Sequence, residues 1–241
     1  MFNSILKLIH SKTEFLYENS LFLQNIDKLI FLSIILVFVT STCMSSDVIG
    51  FVALITVFLS FVKILTKPDE KLVIKTFELW LLAYFMIVII SLAGSTLFHL
   101  SLKGFFKTFT YMAFYFSMVQ YLKNNKDKIP YILGAIGLCV SFEAVVGFLQ
   151  NFAHVEEIST WQDVSSLNPE EVMTRVYGTL KPYNPNLLGG YFVVGIPSLY
   201  ALAAICFYDK KYKISFMWLL CALLSSATLF LTGCRGSYMG M

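Results

Sequence analysis

Charge is what this chain lacks most. Only 14% of its 241 residues are charged, where a soluble domain carries about a quarter. With 57% hydrophobic residues and a mean hydropathy of +0.72, the chain reads as a polytopic membrane protein. A net charge of +3 offers no basic surface for nucleic acid, and none is expected as a partner. Histidine is scarce: His10, His99 and His154 lie too far apart to show metal-ligand spacing, so no metal is expected. The five cysteines, Cys43, Cys139, Cys206, Cys221 and Cys234, sit in or beside apolar runs. Their odd number and the lack of any C-x-x-C speak against both a disulfide framework and a zinc site. The first long apolar run begins only at Leu29, and no small-residue cleavage site follows it at the right place. A cleavable signal peptide is therefore not expected. Arginine is scarcest of all, with Arg175 and Arg235 set against sixteen lysines.

What the chain has in abundance is long apolar runs. A helix needs about 20 apolar residues to cross the hydrocarbon core. Seven runs qualify as candidates: Leu29–Met44, Val48–Leu65, Phe77–Leu97, Phe105–Leu122, Ile129–Phe152, Leu187–Phe207 and Ile214–Leu231. The start of an eighth appears near Gly236. Residues 1–28 mix apolar and charged positions and predict an amphipathic helix lying on the membrane surface. The fold class expected is an all-α bundle of about seven spans, with that interfacial helix at its N-terminus. The expected division is 1–28 as the cytoplasmic amphipathic segment, 29–152 as five spans, 153–186 as an extracytoplasmic loop and 187–241 as the start of a second group of spans.

Loop charge sets the expected orientation. Lys7, Lys12 and Lys28 precede the first span, and Lys63, Lys67, Lys71 and Lys75 follow the second. Lys123, Lys126 and Lys128 follow the fourth, and Lys210, Lys211 and Lys213 follow the sixth. In a seven-span count these segments share one face and hold 13 of the 18 basic residues. The positive-inside rule makes that face cytoplasmic. The protein is expected in the plasma (inner) membrane with its N-terminus in the cytoplasm. The opposite face then holds the 45–47 turn, the 98–104 loop, the 153–186 segment and the 233–236 turn, and with them both arginines. Arginine presents a rigid planar fork that matches phosphate or carboxylate, whereas lysine is a point charge. Within 153–186, Asn168-Pro169-Glu170-Glu171 predicts a short surface helix, and Trp161 an interfacial anchor.

The stretch from Arg175 to Gly190 is the candidate site. Asn184-Pro185-Asn186 is a helix-start signal, since Asn caps free backbone N–H groups and Pro suits the first turn. Gly189 and Gly190 admit a ligand or another backbone closely. A helix N-terminus favours phosphate, and Arg175 and Lys181 stand just upstream. Pro197 is expected to kink the helix that follows. Glu143, deep inside the fifth span, reads either as a group lining the arginines' cavity or relaying protons, or as an acid tying helices together, with Lys107 one candidate partner.

Arg175, Gly178-Thr179 and Asn184-Pro185-Asn186-Leu187-Leu188-Gly189 together resemble the opening of the core shared by the O-antigen ligase and O-antigen polymerase superfamily. One hairpin later, Leu231-Thr232-Gly233-Cys234-Arg235-Gly236-Ser237 resembles that family's Thr-x-Ser-Arg-Gly-Ala-like turn, with Cys234 in place of the usual Ser. The resemblance covers about residues 170–241. It implies a membrane glycosyltransferase that takes a glycan from a polyprenyl diphosphate on the outer face, with the lipid bilayer as its setting. Such proteins ligate or polymerise glycans in cell-surface polysaccharide biosynthesis. The resemblance places Arg175 and Arg235 on the diphosphate, with Lys181, Asn184 and Asn186 beside them, and requires no cofactor. It also implies further spans and a large outer loop bearing a histidine general base. That histidine has no match here, so no catalytic residue is assigned and the chain is read as an incomplete copy of the family's core. The alternatives are a transporter or permease, for which Glu143 and a broken sixth helix would serve, and an inactive remnant.

Overall fold

The computed structural model describes residues 10, 13–67, 72, 74–153 and 175–241. The surface helix expected around Asn168, and with it His154 and Trp161, lies outside the described residues. What is described is helical, with no strand among the described residues. Eight helices carry the argument: α1 Ile26–Cys43, α2 Ser46–Thr66, α3 Thr76–Ala93, α4 Phe98–Asn124, α5 Ile129–Gln150, α6 Pro185–Tyr208, α7 Tyr212–Leu231 and α8 Arg235–Gly240. Six stretches among the described residues are long and apolar enough to cross a bilayer: α1, α2, α3, the stretch Lys126–Gln150 that contains α5, α6 and α7. The protein is an all-α, multi-pass membrane protein.

The expected fourth span is the exception. It belongs to a 27-residue helix, α4, which has the length but not the apolarity of the six. Its sequence interleaves Lys103, Lys107, Thr108, Thr110, Gln120 and Lys123 with aromatics rather than aliphatics. The count by composition is therefore six, not seven. The expected 98–104 loop is also corrected, because these residues form the first two turns of α4 and only residues 94–97 link it to α3. Likewise Ser46 and Asp47, expected in a turn, already belong to the first turn of α2.

The chain divides into two compact units. One comprises residues Met1–Val37 and Asp47–Lys128, the other Phe38–Ser46 and Ile129–Met241. In the first, Ile26, Ile30 and Ile34 recur every four residues along one stripe of α1 and are fully buried. That spacing is what a helix with one packed face requires. Asp27 sits between two lysines of the α2 end, 2.8 Å from Lys63 and 2.5 Å from Lys67. Lys63 is buried, and its ammonium also lies 5.6 Å from the centre of the Tyr121 ring, so charge pairing and a cation–π contact share its desolvation. The N-terminal segment is tied to the same place: His10 Nε2 donates to the Ile64 carbonyl at 2.8 Å and Thr13 Oγ1 to that of Leu65 at 3.1 Å. These are last-turn carbonyls that the helix cannot satisfy itself. Residues 13–19 and Leu21–Gln24 are helical and expose Phe15 and Leu21, which suits the expected surface segment.

α3 and α4 form an antiparallel hairpin. Glu78 meets Lys123 at 3.2 Å, and Phe85 stacks on Phe105 at 5.4 Å. Rising numbers on one helix pair with falling numbers on the other.

The second unit packs α5, α6 and α7 around Val140, Ala144, Leu188, Phe192, Ile196, Leu199, Ala222 and Leu229, all buried. Glycine brings the helices close. A Cβ at Gly195 would come within 2.2 Å of Val140 Cγ2, and one at Gly147 within 2.7 Å of Thr228 Cγ2. Thr228 Oγ1 lies 3.0 Å from both the Ala144 carbonyl across the contact and the Leu224 carbonyl of its own helix. Helix α6 runs as one element through Pro197. Val176 and Leu180 complete this core, which draws the loop before α6 into the bundle.

Candidate functional site

The loop from Arg175 to Tyr183 is held by side chains of α5 and α6 and by backbone carbonyls at the ends of α1 and α7. Along it, Val176, Gly178 and Leu180 are buried while Arg175, Tyr177 and Thr179 are partly exposed, the alternation of an extended chain. Its backbone finds partners on α5. Gln150 Oε1 accepts from the N–H groups of Tyr177 at 3.1 Å and Gly178 at 2.9 Å, and Gln150 Nε2 donates to the Gly178 carbonyl at 3.0 Å. Two turns earlier on the same face, Glu143 Oε2 accepts from Thr179 N–H at 2.9 Å. Its other oxygen, Oε1, lies 2.5 Å from Thr179 Oγ1. Thr179 Oγ1 is also 2.9 Å from the Thr42 carbonyl. Gly178 has φ +66°, and a Cβ there would lie 2.3 Å from Glu143 Oε2. Both the backbone conformation and the lack of space demand glycine.

Glu143 is thus fully buried and engaged by Thr179, not by a cation such as Lys107. Of the residues that hold the loop, Thr179 belongs to the motif that carries the resemblance, whereas no motif points to Gln150 or Thr42. The one available signal was a second polar residue, Gln150, seven positions after Glu143 on an otherwise apolar helix face.

Arg175 is anchored at the other end of the loop. Its Nε donates to the Thr232 carbonyl at 2.7 Å and one Nη to Asn186 Oδ1 at 2.8 Å. Val176 N–H donates to the Leu231 carbonyl at 3.3 Å. Gly233, at φ +63°, leaves room for the guanidinium, since a Cβ there would lie 3.0 Å from Arg175 Nε. Arg235 follows two residues later as the first residue of α8 and is exposed. The two arginines, 60 positions apart in sequence, belong to one turn: Arg175 packs on it and Arg235 ends it.

The expected helix start is present, but its chemistry is altered. Asn184 is the N-cap of α6 and its Oδ1 accepts from Asn186 N–H at 2.8 Å. Leu187 and Leu188 N–H both donate to the Asn184 carbonyl, and Pro185 has no N–H. The tip donors expected to hold phosphate are therefore spent within the helix, leaving only its partial positive charge. Gly189 admits another part of the chain rather than a ligand: a Cβ there would lie 2.7 Å from Ser237 Oγ and 2.9 Å from Cys234 Cβ. Beside Gly190 there is open space. Lys181 is exposed, in the turn closed by the Tyr183 N–H bond to the Leu180 carbonyl at 2.7 Å. Among the described residues of 129–153 and 175–241, the acids are Glu143 and Asp209. The former is buried, and the latter is bound to Lys211 at 3.2 Å. No described acid of this unit is paired with Lys181 or Arg235. No grouping of His, Cys, Asp or Glu among the described residues could hold a metal.

No family model, no curated protein and no solved structure matches this chain.

Proposed function

We propose that this protein binds a polyprenyl-diphosphate-linked glycan at the extracytoplasmic face of the plasma membrane. It would act there as a glycan-transferring protein of the O-antigen ligase or polymerase kind. The observation that carries the reading is the convergence of Arg175 and Arg235 on the Thr232–Arg235 turn. Transfer from such a carrier leaves a lipid diphosphate, and negative charge grows on it as the glycosidic bond breaks. Planar guanidinium groups fixed in place before reaction stabilise that developing charge.

The two arginines divide the task. Arg175 is held by Thr232 and Asn186 and keeps the turn in shape, so its charge is pre-positioned. Arg235 is exposed and is the arginine that closes on the diphosphate. Lys181 and the capped tip of α6 add positive potential, and Asn186 acts through Arg175. Catalysis needs a base for the acceptor hydroxyl, and none is assigned among the described residues.

The test is binding of a radiolabelled polyprenyl diphosphate to the detergent-purified protein, with polyprenol as control. A charge-assisted hydrogen bond contributes about 1.5–3 kcal/mol, so Arg235→Ala should weaken diphosphate binding by roughly tenfold or more. Polyprenol binding should not change. Equal affinity for diphosphate and polyprenol, or indifference to Arg235→Ala, overturns the reading.

A further inference from the structure

The loop bearing Arg175 reaches its place by way of α5, and the contact at its centre carries a proton count. Thr179 Oγ1 has one hydrogen and two acceptors within reach, the Thr42 carbonyl at 2.9 Å and Glu143 Oε1 at 2.5 Å. Thr179 N–H occupies the other Glu143 oxygen. If the hydroxyl proton goes to Glu143, the Thr42 carbonyl loses its partner, and if it goes to Thr42, two oxygens face each other without a proton. All three contacts hold together when Glu143 donates to Thr179 Oγ1 and Thr179 donates to Thr42. Among the described residues, the titratable groups facing Glu143 are Cys139 and Tyr191, with Cys43 Sγ 3.8 Å from Thr179 Oγ1, and none of these brings a positive charge. A fully buried group of this kind is tolerated when its hydrogen bonds are complete.

We infer that Glu143 is a positioning residue that clamps the 177–179 backbone through hydrogen bonds rather than through charge, and thereby sets Arg175 on the Thr232–Gly233 turn. Gln150 is the second jaw, and Gly178 sits between them because no side chain fits. The importance of Arg175 for a lipid diphosphate rests on the function proposed above, whereas the clamp itself does not. This assigns Glu143 to neither proton relay nor ion coupling. A carboxyl that served as a relay would have to release its proton, and here that proton holds two segments together.

Hydrogen exchange of the peptide spanning 175–183, followed by mass spectrometry on the intact protein in detergent, tests the clamp directly. Glu143→Gln keeps every contact: its amide oxygen accepts from Thr179 N–H and its amide nitrogen donates to Thr179 Oγ1. Exchange in this variant should stay within about twofold of the parent. Glu143→Leu is similar in size and makes none of these bonds. Exchange should rise on the order of tenfold or more, the weight of a buried hydrogen bond and its orphaned partner. Unchanged exchange in Glu143→Leu, or Glu143→Gln exchanging as fast as Glu143→Leu, overturns the proposal. Polyprenyl diphosphate binding read on the same samples separates the two claims. It should fall in Glu143→Leu and be rescued in Glu143→Gln. Arg235→Ala should lose binding with exchange unmoved. Binding that ignores Glu143→Leu while exchange rises removes the link to Arg175 and the positioning role with it.

Discussion

Two arginines of the same type, at the same turn, have different structural consequences. Arg175 gives one donor to the carbonyl of buried Thr232 and another to Oδ1 of exposed Asn186, and its stem fills the space that Gly233 leaves. Truncating it leaves the Thr232 carbonyl unpaired, which costs about 1–3 kcal/mol. Arg235 is exposed, and surface substitutions away from special features stay within about 0.5 kcal/mol. Thermal unfolding in detergent should therefore fall clearly for Arg175→Ala and hardly at all for Arg235→Ala. If the two variants melt alike, the division of labour between them is wrong. The motif around each arginine was readable in the sequence because it is local: Asn184-Pro185 announces a cap, and Gly233 announces a turn. The partners were not readable. Gln150 lies 27–28 residues from the backbone it binds, and Thr42 lies 137 residues from Thr179. No periodicity in a single chain encodes such distances.

At the level of elements, helix existence followed from apolar run length and helix ends did not. The six apolar stretches agree with the expected spans to within a few residues. The α3–α4 link was misplaced because Ser101, Lys103 and Gly104 read as loop, whereas tertiary pairing with α3 keeps them helical. Glycine was ambiguous in the same way. Gly189 and Gly190 are adjacent and equally small, yet one touches α8 and the other touches nothing. A methyl at 189 would press into Cys234 and Ser237. Forcing it in costs on the order of 1–3 kcal/mol and should displace the turn that carries Arg235. A methyl at 190 meets open space, and removing a mid-helix glycine stabilises by about 0.5–1 kcal/mol. Gly189→Ala should lower the melting temperature and weaken diphosphate binding, while Gly190→Ala should leave binding intact and melt no lower than the parent. The reverse order would mean that the α6–α8 contact does not shape the site.

For the molecule as a whole, the orientation proposed for the arginines depends on α4. Six spans by composition and seven by charge bias give opposite answers for everything after residue 125. If α4 does not cross, an N-terminus in the cytoplasm puts Lys126, Lys128 and the Lys210–Lys213 cluster outside and Arg235 inside, against the positive-inside rule. If α4 crosses, the lysines stay inside and the arginines face out. The antiparallel pairing of α3 and α4 favours crossing. Contacts run from Glu78–Lys123 at one end to Phe85–Phe105 further along, so α4 shares the depth of a helix apolar enough to span. At 27 residues it is about 40 Å long, more than the hydrocarbon thickness of about 30 Å. Burial of its Thr110, Ser117 and Gln120 against protein removes polar groups from lipid and lowers the cost of a less apolar span. Single cysteines placed at Thr96, Lys126, Lys210 and Arg235 in a cysteine-free background, probed with a membrane-impermeant maleimide in cells and in inverted vesicles, decide between the two. Positions 96 and 235 should label from outside, and positions 126 and 210 only in inverted vesicles. Labelling of 96 and 126 from the same side would show that α4 does not cross. It would move the arginine turn to the cytoplasmic face, where a carrier-linked glycan already flipped outward is out of reach, and the proposed donor with it.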